Sequence, residues 1–109
     1  FAAVHAADEL HTHPERVLAA LQAQVQTGRR VWLDLDCDVF DPAHFPAVGQ
    51  PLPFGLTPAQ VLRVIAAVPS DQLLGVCISE FLPAHDHRDQ SLGVLLWLIE
   101  WLLLRRYGG

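Results

Sequence analysis

The chain alternates short runs that are apolar on both faces with longer stretches that open on helix-start signals. Thr12 followed by Glu15 reads as a capping box with Pro14 in the first turn, so a helix is expected from about His13 to Thr27, ended by Gly28. The run RVWLDLD has the pattern of a strand covered on both faces of a parallel sheet. A loop rich in proline and glycine follows, DPAHFPAVGQPLPFG, long enough to suggest function rather than simple connection. Thr57 and Gln60, with Pro58 at the first helical position, form a second capping-box pattern, and that helix is expected to reach about Val68. QLLGVCISEF is another apolar strand, and after LPAHDHRD a last helix is expected over about Gln90 to Tyr107. It is apolar nearly all round, the mark of a helix buried against a sheet or another subunit. Strand, helix, strand, helix with covered strands is the grammar of an α/β fold with a parallel sheet.

Composition narrows the picture. The 109 residues give room for one small domain. A net charge of −5, with no lysine and seven scattered arginines, lacks the clustered basic footprint that phosphate binding needs, so no nucleic-acid partner is expected. Cys37 and Cys77 sit inside apolar runs, where buried free thiols are the expectation, which fits a reducing cytoplasmic setting. FAAVHAA lacks the charged start and long apolar core of a secretory signal. SLGVLLWLIEWLLL is interrupted by Glu100 and is shorter than the ~20 residues of a membrane span, so no membrane is expected either. With no methionine anywhere, and an opening that reads like mid-protein, Phe1 is expected to be an arbitrary start.

Against this 51% apolar background, four aspartates, Asp34, Asp36, Asp38 and Asp41, crowd into eight residues directly behind an apolar run. Strand alternation would point Asp34, Asp36 and Asp38 the same way. Three carboxylates on one face repel unless a cation sits among them, and the carboxyl end of a parallel strand is where open α/β sheets place their ligand crevice. Glu80 ends the second strand in the same sense. Asp41, before Pro42, is more simply a turn residue. For Asp36 and Asp38 metal is the better reading, carboxylate oxygen being the natural ligand of magnesium and manganese.

At this point the sequence resembles a family. DCDVFDP matches the D-x-D-x-x-D-P signature of the ureohydrolases, the arginase, agmatinase and formiminoglutamase group, and the match continues without a gap through AHFPAVGQPLPFGLT. SEFLPAHDH resembles that family's E-x-N-P segment, and FAAVHAADELHTHPERV is similar in layout to the strand and helix preceding the signature. The resemblance implies a three-layer αβα fold with a mainly parallel sheet, of which residues 1–109 would be the C-terminal part of a single domain. It implies that Asp36 bridges two manganese ions (Mn2+), that Asp38 binds one of them, and that Glu80 faces the guanidinium or amidine end of a small substrate. Two metals about 3.5–4 Å apart can generate a water nucleophile at neutral pH, which would release urea or a related amide. The family forms oligomers, so a homo-oligomer is expected of the complete protein. Two departures stand out: Asp34 replaces a small hydroxyl residue and Leu82 replaces asparagine. The family's remaining ligand segments, G-G-D-H and D-A-H-x-D, are not in this chain, so the chain alone is expected to be inactive.

Among the histidines, His11 and His13 read as exposed residues of a helix start, while His85 and His87 lie near the presumed site mouth and read slightly better as loop residues. Asp86 and Asp89 are placed to cap the last helix. Two other readings stay open. LDLDCDVFD also resembles the aspartyl-phosphate motif of haloacid-dehalogenase-like phosphatases, with Asp34 as nucleophile and Asp36 as general acid, though no lysine is available to complete it. A non-catalytic, truncated domain that binds a partner or metal is the other. The substrate stays undecided among arginine, agmatine, formiminoglutamate and other guanidino compounds.

Overall fold

The computed structural model of the protein describes residues 5–108; the strand expected in the opening residues falls on residues 1–4, outside them. Four helices and two strands are seen: α1 (Ala7–Thr12), α2 (Pro14–Gln26), β1 (Val31–Asp36), α3 (Pro58–Ala66), β2 (Leu73–Ser79) and α4 (Gln90–Tyr107), with short 3-10 turns at Cys37–Val39, Ser70–Gln72 and Pro83–His85. β1 and β2 pair in parallel, as the alternation of elements requires, with Leu35 opposite Ile78 and Asp36 opposite Ser79. Both strands therefore end at the same edge of the sheet.

The first helix start departs from expectation. The hydroxyl of Thr12 does not cap α2; it donates back to the carbonyl of Asp8 at 2.8 Å and so closes a separate helix, α1. α2 begins one residue later with Pro14 at its first position and no side-chain cap at His13. Proline's preset φ and missing N–H suffice there. Gly28, at φ 79, ends α2 in the left-handed region that glycine enters without a Cβ penalty. The second expected start is present in full: the Thr57 hydroxyl accepts from the Gln60 amide, and the Gln60 side chain accepts from the Thr57 amide.

The core is built on one face of the sheet. Leu33 and Leu35 of β1 and Val76 and Ile78 of β2 turn inward, towards Val61 and Ile65 of α3 and Leu95 and Leu98 of α4. The proline-rich loop is itself core, since Phe45, Ala47 and Val48 are all buried within it and Phe40 is buried just before it. Phe40 stacks on Phe45 at 4.9 Å between ring centroids, and Phe45 meets the edge of Phe81 at 5.9 Å. Arg105 of α4 donates to the carbonyls of Ile65, Ala66 and Val68, supplying partners for the open end of α3, and lies over the Trp101 ring at 5.2 Å.

The other sheet face is bare, contrary to the expectation of strands covered on both sides. Trp32, Asp34 and Asp36 of β1 and Cys77 and Ser79 of β2 are exposed there, and the Trp32 ring lies flat against Gly75, where a Cβ would come within 2.6 Å of it. Cys77 is thus an exposed thiol, not a buried one. α4 buries only the stripe Ser91, Leu95 and Leu98, while Leu96, Trp97, Leu103 and Leu104 are each more than half exposed. No helix among the described residues is long and apolar enough to cross a membrane.

Gly55 lets the loop close on itself. The chain after it pairs with Phe40 through Leu56, and a Cβ at Gly55 would stand 2.5 Å from the Asp41 nitrogen and 2.6 Å from the Phe40 carbonyl carbon. Those are backbone atoms held by the Asp41 N–H to Leu56 carbonyl bond (2.8 Å), so neither side can yield. Gly55→Ala is expected to cost about 1–3 kcal/mol, measured as a shift in the urea unfolding midpoint, whereas Gly93→Ala, with open space around its would-be Cβ, is expected to be neutral or stabilising.

Candidate active site

The residues singled out for chemistry gather where the two strands end. Asp36 is the last residue of β1, and Glu80 directly follows β2, one step beyond Ser79, the partner of Asp36. Asp38 is not on the strand face expected for it. The chain turns into a 3-10 helix at Cys37, and the Asp36 carboxylate accepts the Asp38 amide at 2.9 Å to cap that turn. The strand alternation that would align three aspartates stops after Asp36. Asp34 stays on the exposed face, where it accepts from the Trp32 indole at 3.3 Å.

Folding Asp38 back leaves one of its carboxylate oxygens shut away from solvent and without a hydrogen-bond partner. Among the described residues it is the only such buried side-chain oxygen or nitrogen. An unpartnered carboxylate oxygen is costly to bury, and a cation is what would relieve it. Cys37, wholly buried beside it, reports the local field. Burial pushes its thiol up to about 11, and the negative charges of Asp36, Asp38 and Glu80 add to the shift. One sulfur thus feels all three carboxylates. They do not by themselves make a complete metal cage, for no group of three or more His, Cys, Asp or Glu side chains among the described residues is placed to hold an ion.

Glu80 has φ 66, a left-handed backbone that costs a residue with a Cβ roughly 1–2 kcal/mol. The bend redirects the chain out of β2 and into the seam with the proline-rich loop, where the Leu82 amide donates to the Ala47 carbonyl at 2.8 Å. His85 serves that seam as well, its Nδ1 donating to the Val48 carbonyl at 3.1 Å, while His87 makes no ring contact of this kind. Asp41 is the turn residue expected, accepting from the Ala43 amide. His11 lies within helix α1, not in a loop: its Nε2 sits 3.1 Å from the Gly55 carbonyl and its Nδ1 3.0 Å from the Gln60 side chain, tying α1 to α3. Asp86 caps α4, whereas Asp89 takes the N-cap position with φ 58 and makes no side-chain cap. The buried Ser91 drew no notice in the sequence, for a lone serine inside an apolar helix carries no motif.

Comparison with known proteins gives one consistent result. A family model described as the arginase family matches residues 1–104. The chain is 37% identical over 71 residues to an N(omega)-hydroxy-L-arginine amidinohydrolase from Streptomyces lavendulae, covering 63% of this chain and 26% of that protein. An agmatinase from Bacillus cereus is 36% identical over 66 residues, covering 59% and 23%. The solved agmatine ureohydrolase of Thermoplasma volcanium superposes with a TM-score of 0.73 at 28% identity, over 93% of this chain and 33% of the other. The chain thus spans about a quarter of the length of these curated relatives and a third of the solved structure.

The two cysteines are expected to part company under native alkylation. Cys77 should label with a maleimide at neutral pH and Cys37 should not, because a thiol of raised pKa is protonated there as well as buried; equal labelling on intact-mass analysis would contradict the placement of Cys37. For Glu80, relieving the left-handed backbone with Glu80→Gly is expected to raise stability by up to about 1 kcal/mol, and Glu80→Gln to leave it unmoved, both read from denaturant midpoints.

Proposed function

Because the chain belongs to the arginase family and its strands and helices form part of that family's three-layer αβα fold, we propose that it contributes Asp36, Asp38 and Glu80 to a manganese-dependent hydrolase of guanidino or amidino C–N bonds. The observation that carries this reading is the buried, unpartnered oxygen of Asp38, next to Asp36, at the carboxyl end of a parallel strand. The donors that this chain supplies, Asp36 and Asp38, are oxygen, which suits manganese or magnesium and not the softer metals that favour thiolate. The relatives' names, agmatinase and hydroxyarginine amidinohydrolase, describe guanidino compounds as their substrates and support the same class here. This membership sets aside the phosphatase reading of Asp34.

Each residue has a part that follows from its place. Asp36 and Asp38 would hold the metal, Asp36 through the oxygen not already engaged by the Asp38 amide. Bound divalent ions supply Lewis-acid charge stabilisation and a water nucleophile at neutral pH. Glu80, across the sheet edge, orients the cationic end of the substrate by charge-assisted hydrogen bonds. No larger ligand group is present among the described residues, so a closed metal site would need further donors besides these two.

The test uses the polypeptide that contains this chain, with Mn2+ and with arginine or agmatine as substrate. Asp36→Asn and Asp38→Asn are each expected to lower urea release by more than about a hundredfold, because even partners outside the ligand shell commonly cost 10–100-fold. Both are also expected to weaken Mn2+ binding by calorimetry. Undiminished turnover in either variant would refute the assignment.

A further inference from the structure

We propose that Ser91 is a positioning residue that locks the segment following Asp38 to the segment following Glu80; this rests on the site reading above. Ser91 lies in the first turn of α4, remote in sequence from every residue discussed as a ligand, yet it is the one buried polar side chain among the described residues. Its Oγ accepts the Ala47 amide at 3.1 Å. Ser91 is tied to Asp86 through its backbone, the Ser91 amide donating to the carboxylate at 2.9 Å. Asp86 also accepts the amides of His87 and Leu92. Burial pulls the Asp86 carboxyl upward, but these amides and the Ser91 hydroxyl more than offset it and hold it below the usual carboxylate range. The side chain that anchors the first turn of α4 is therefore a carboxylate at neutral pH.

Ala47 is the hinge of the arrangement. Its N–H goes to Ser91 and its carbonyl receives the Leu82 amide, two residues past Glu80. The chain of bonds thus runs from Asp86, through Ser91 and Ala47, to the strand exit that carries Glu80. Ala47 itself is wholly buried, in a loop whose first residues follow Asp38. Phe45 stacks on Phe40 and meets the edge of Phe81, so the two carboxylate-bearing segments share an aromatic cluster as well as the backbone of Ala47. Without the Ser91 hydroxyl the Ala47 N–H would be buried unpaired, and the segment would move to find a partner. The spacing between Asp38 and Glu80 would move with it.

The experiment compares Ser91→Ala and Ser91→Thr in the full polypeptide, with Asp36→Asn alongside. Amide exchange is expected to quicken by about tenfold or more at Ala47 and also at Leu82 in Ser91→Ala, with Ile65 in the core unchanged, and to return towards wild type in Ser91→Thr. In the same variants kcat for the guanidino substrate is expected to fall about tenfold or more with KM little altered in Ser91→Ala, and to recover in Ser91→Thr, since small misplacements of reacting groups are costly. Exchange that quickens at Ala47 alone, or kcat that holds while Leu82 loosens, would overturn the positioning role. Turnover that survives Asp36→Asn would overturn the metal reading instead, and the tie between the two segments would then be judged by exchange at Leu82.

Discussion

The parallel pairing of β1 with β2 is the constraint on which the rest of this molecule depends. Two strands in parallel must end at the same edge, so whatever side chains follow them are brought together irrespective of their distance in sequence. Here the register sets Asp36 opposite Ser79, and the chain delivers Glu80 one residue later. The crossover through the buried proline-rich loop and α3 is what permits the parallel direction. It also covers the inner sheet face, so the same segment that closes the topology supplies most of the aromatic core.

The elements could be read from sequence where a local rule and the tertiary structure agree. The Thr57 and Gln60 pattern, Pro58, the apolar strand runs and the limits of α4 all have a local cause, and each is where it was expected. The Thr12 and Glu15 pattern failed because the Thr12 hydroxyl had a nearer acceptor in Asp8, which let a short helix form that no periodicity announced. Asp38 was misplaced because alternation was extended past the point where the backbone turns; the turn is fixed by the Asp36 carboxylate accepting the Asp38 amide, a contact that spacing alone does not reveal. The expected membership in the ureohydrolases stands, and with it the αβα fold.

The exposed apolar surfaces have the same origin as the incomplete ligand set. A two-stranded sheet with one bare face, bearing Trp32, and a helix with Trp97, Leu103 and Leu104 in the open are what remain when a third of a larger fold is considered apart from the rest. In a three-layer fold, layers cover both faces of the sheet, and the strands would read as largely apolar runs, as β2 does; β1 carries Asp34 and Asp36 on its open face. The expectation of doubly covered strands fails for the described residues because the apolar character of a run does not say which layer covers it.

Two departures from local energetic preference, a glutamate in left-handed backbone and a carboxylate oxygen buried without a partner, fall on successive strand exits at one edge of the sheet. Left-handed backbone also occurs at Phe54, Arg88 and Asp89, so what sets this edge apart is its coincidence with the unpartnered Asp38 oxygen; neither feature can be credited to stability, since each raises the energy of the folded chain. The framework on either side is the aromatic cluster of Phe40, Phe45 and Phe81 and the two backbone hydrogen bonds of Ala47, to Ser91 and from Leu82. The proposed site accounts for that cost, since a cation beside Asp38 would relieve the buried oxygen.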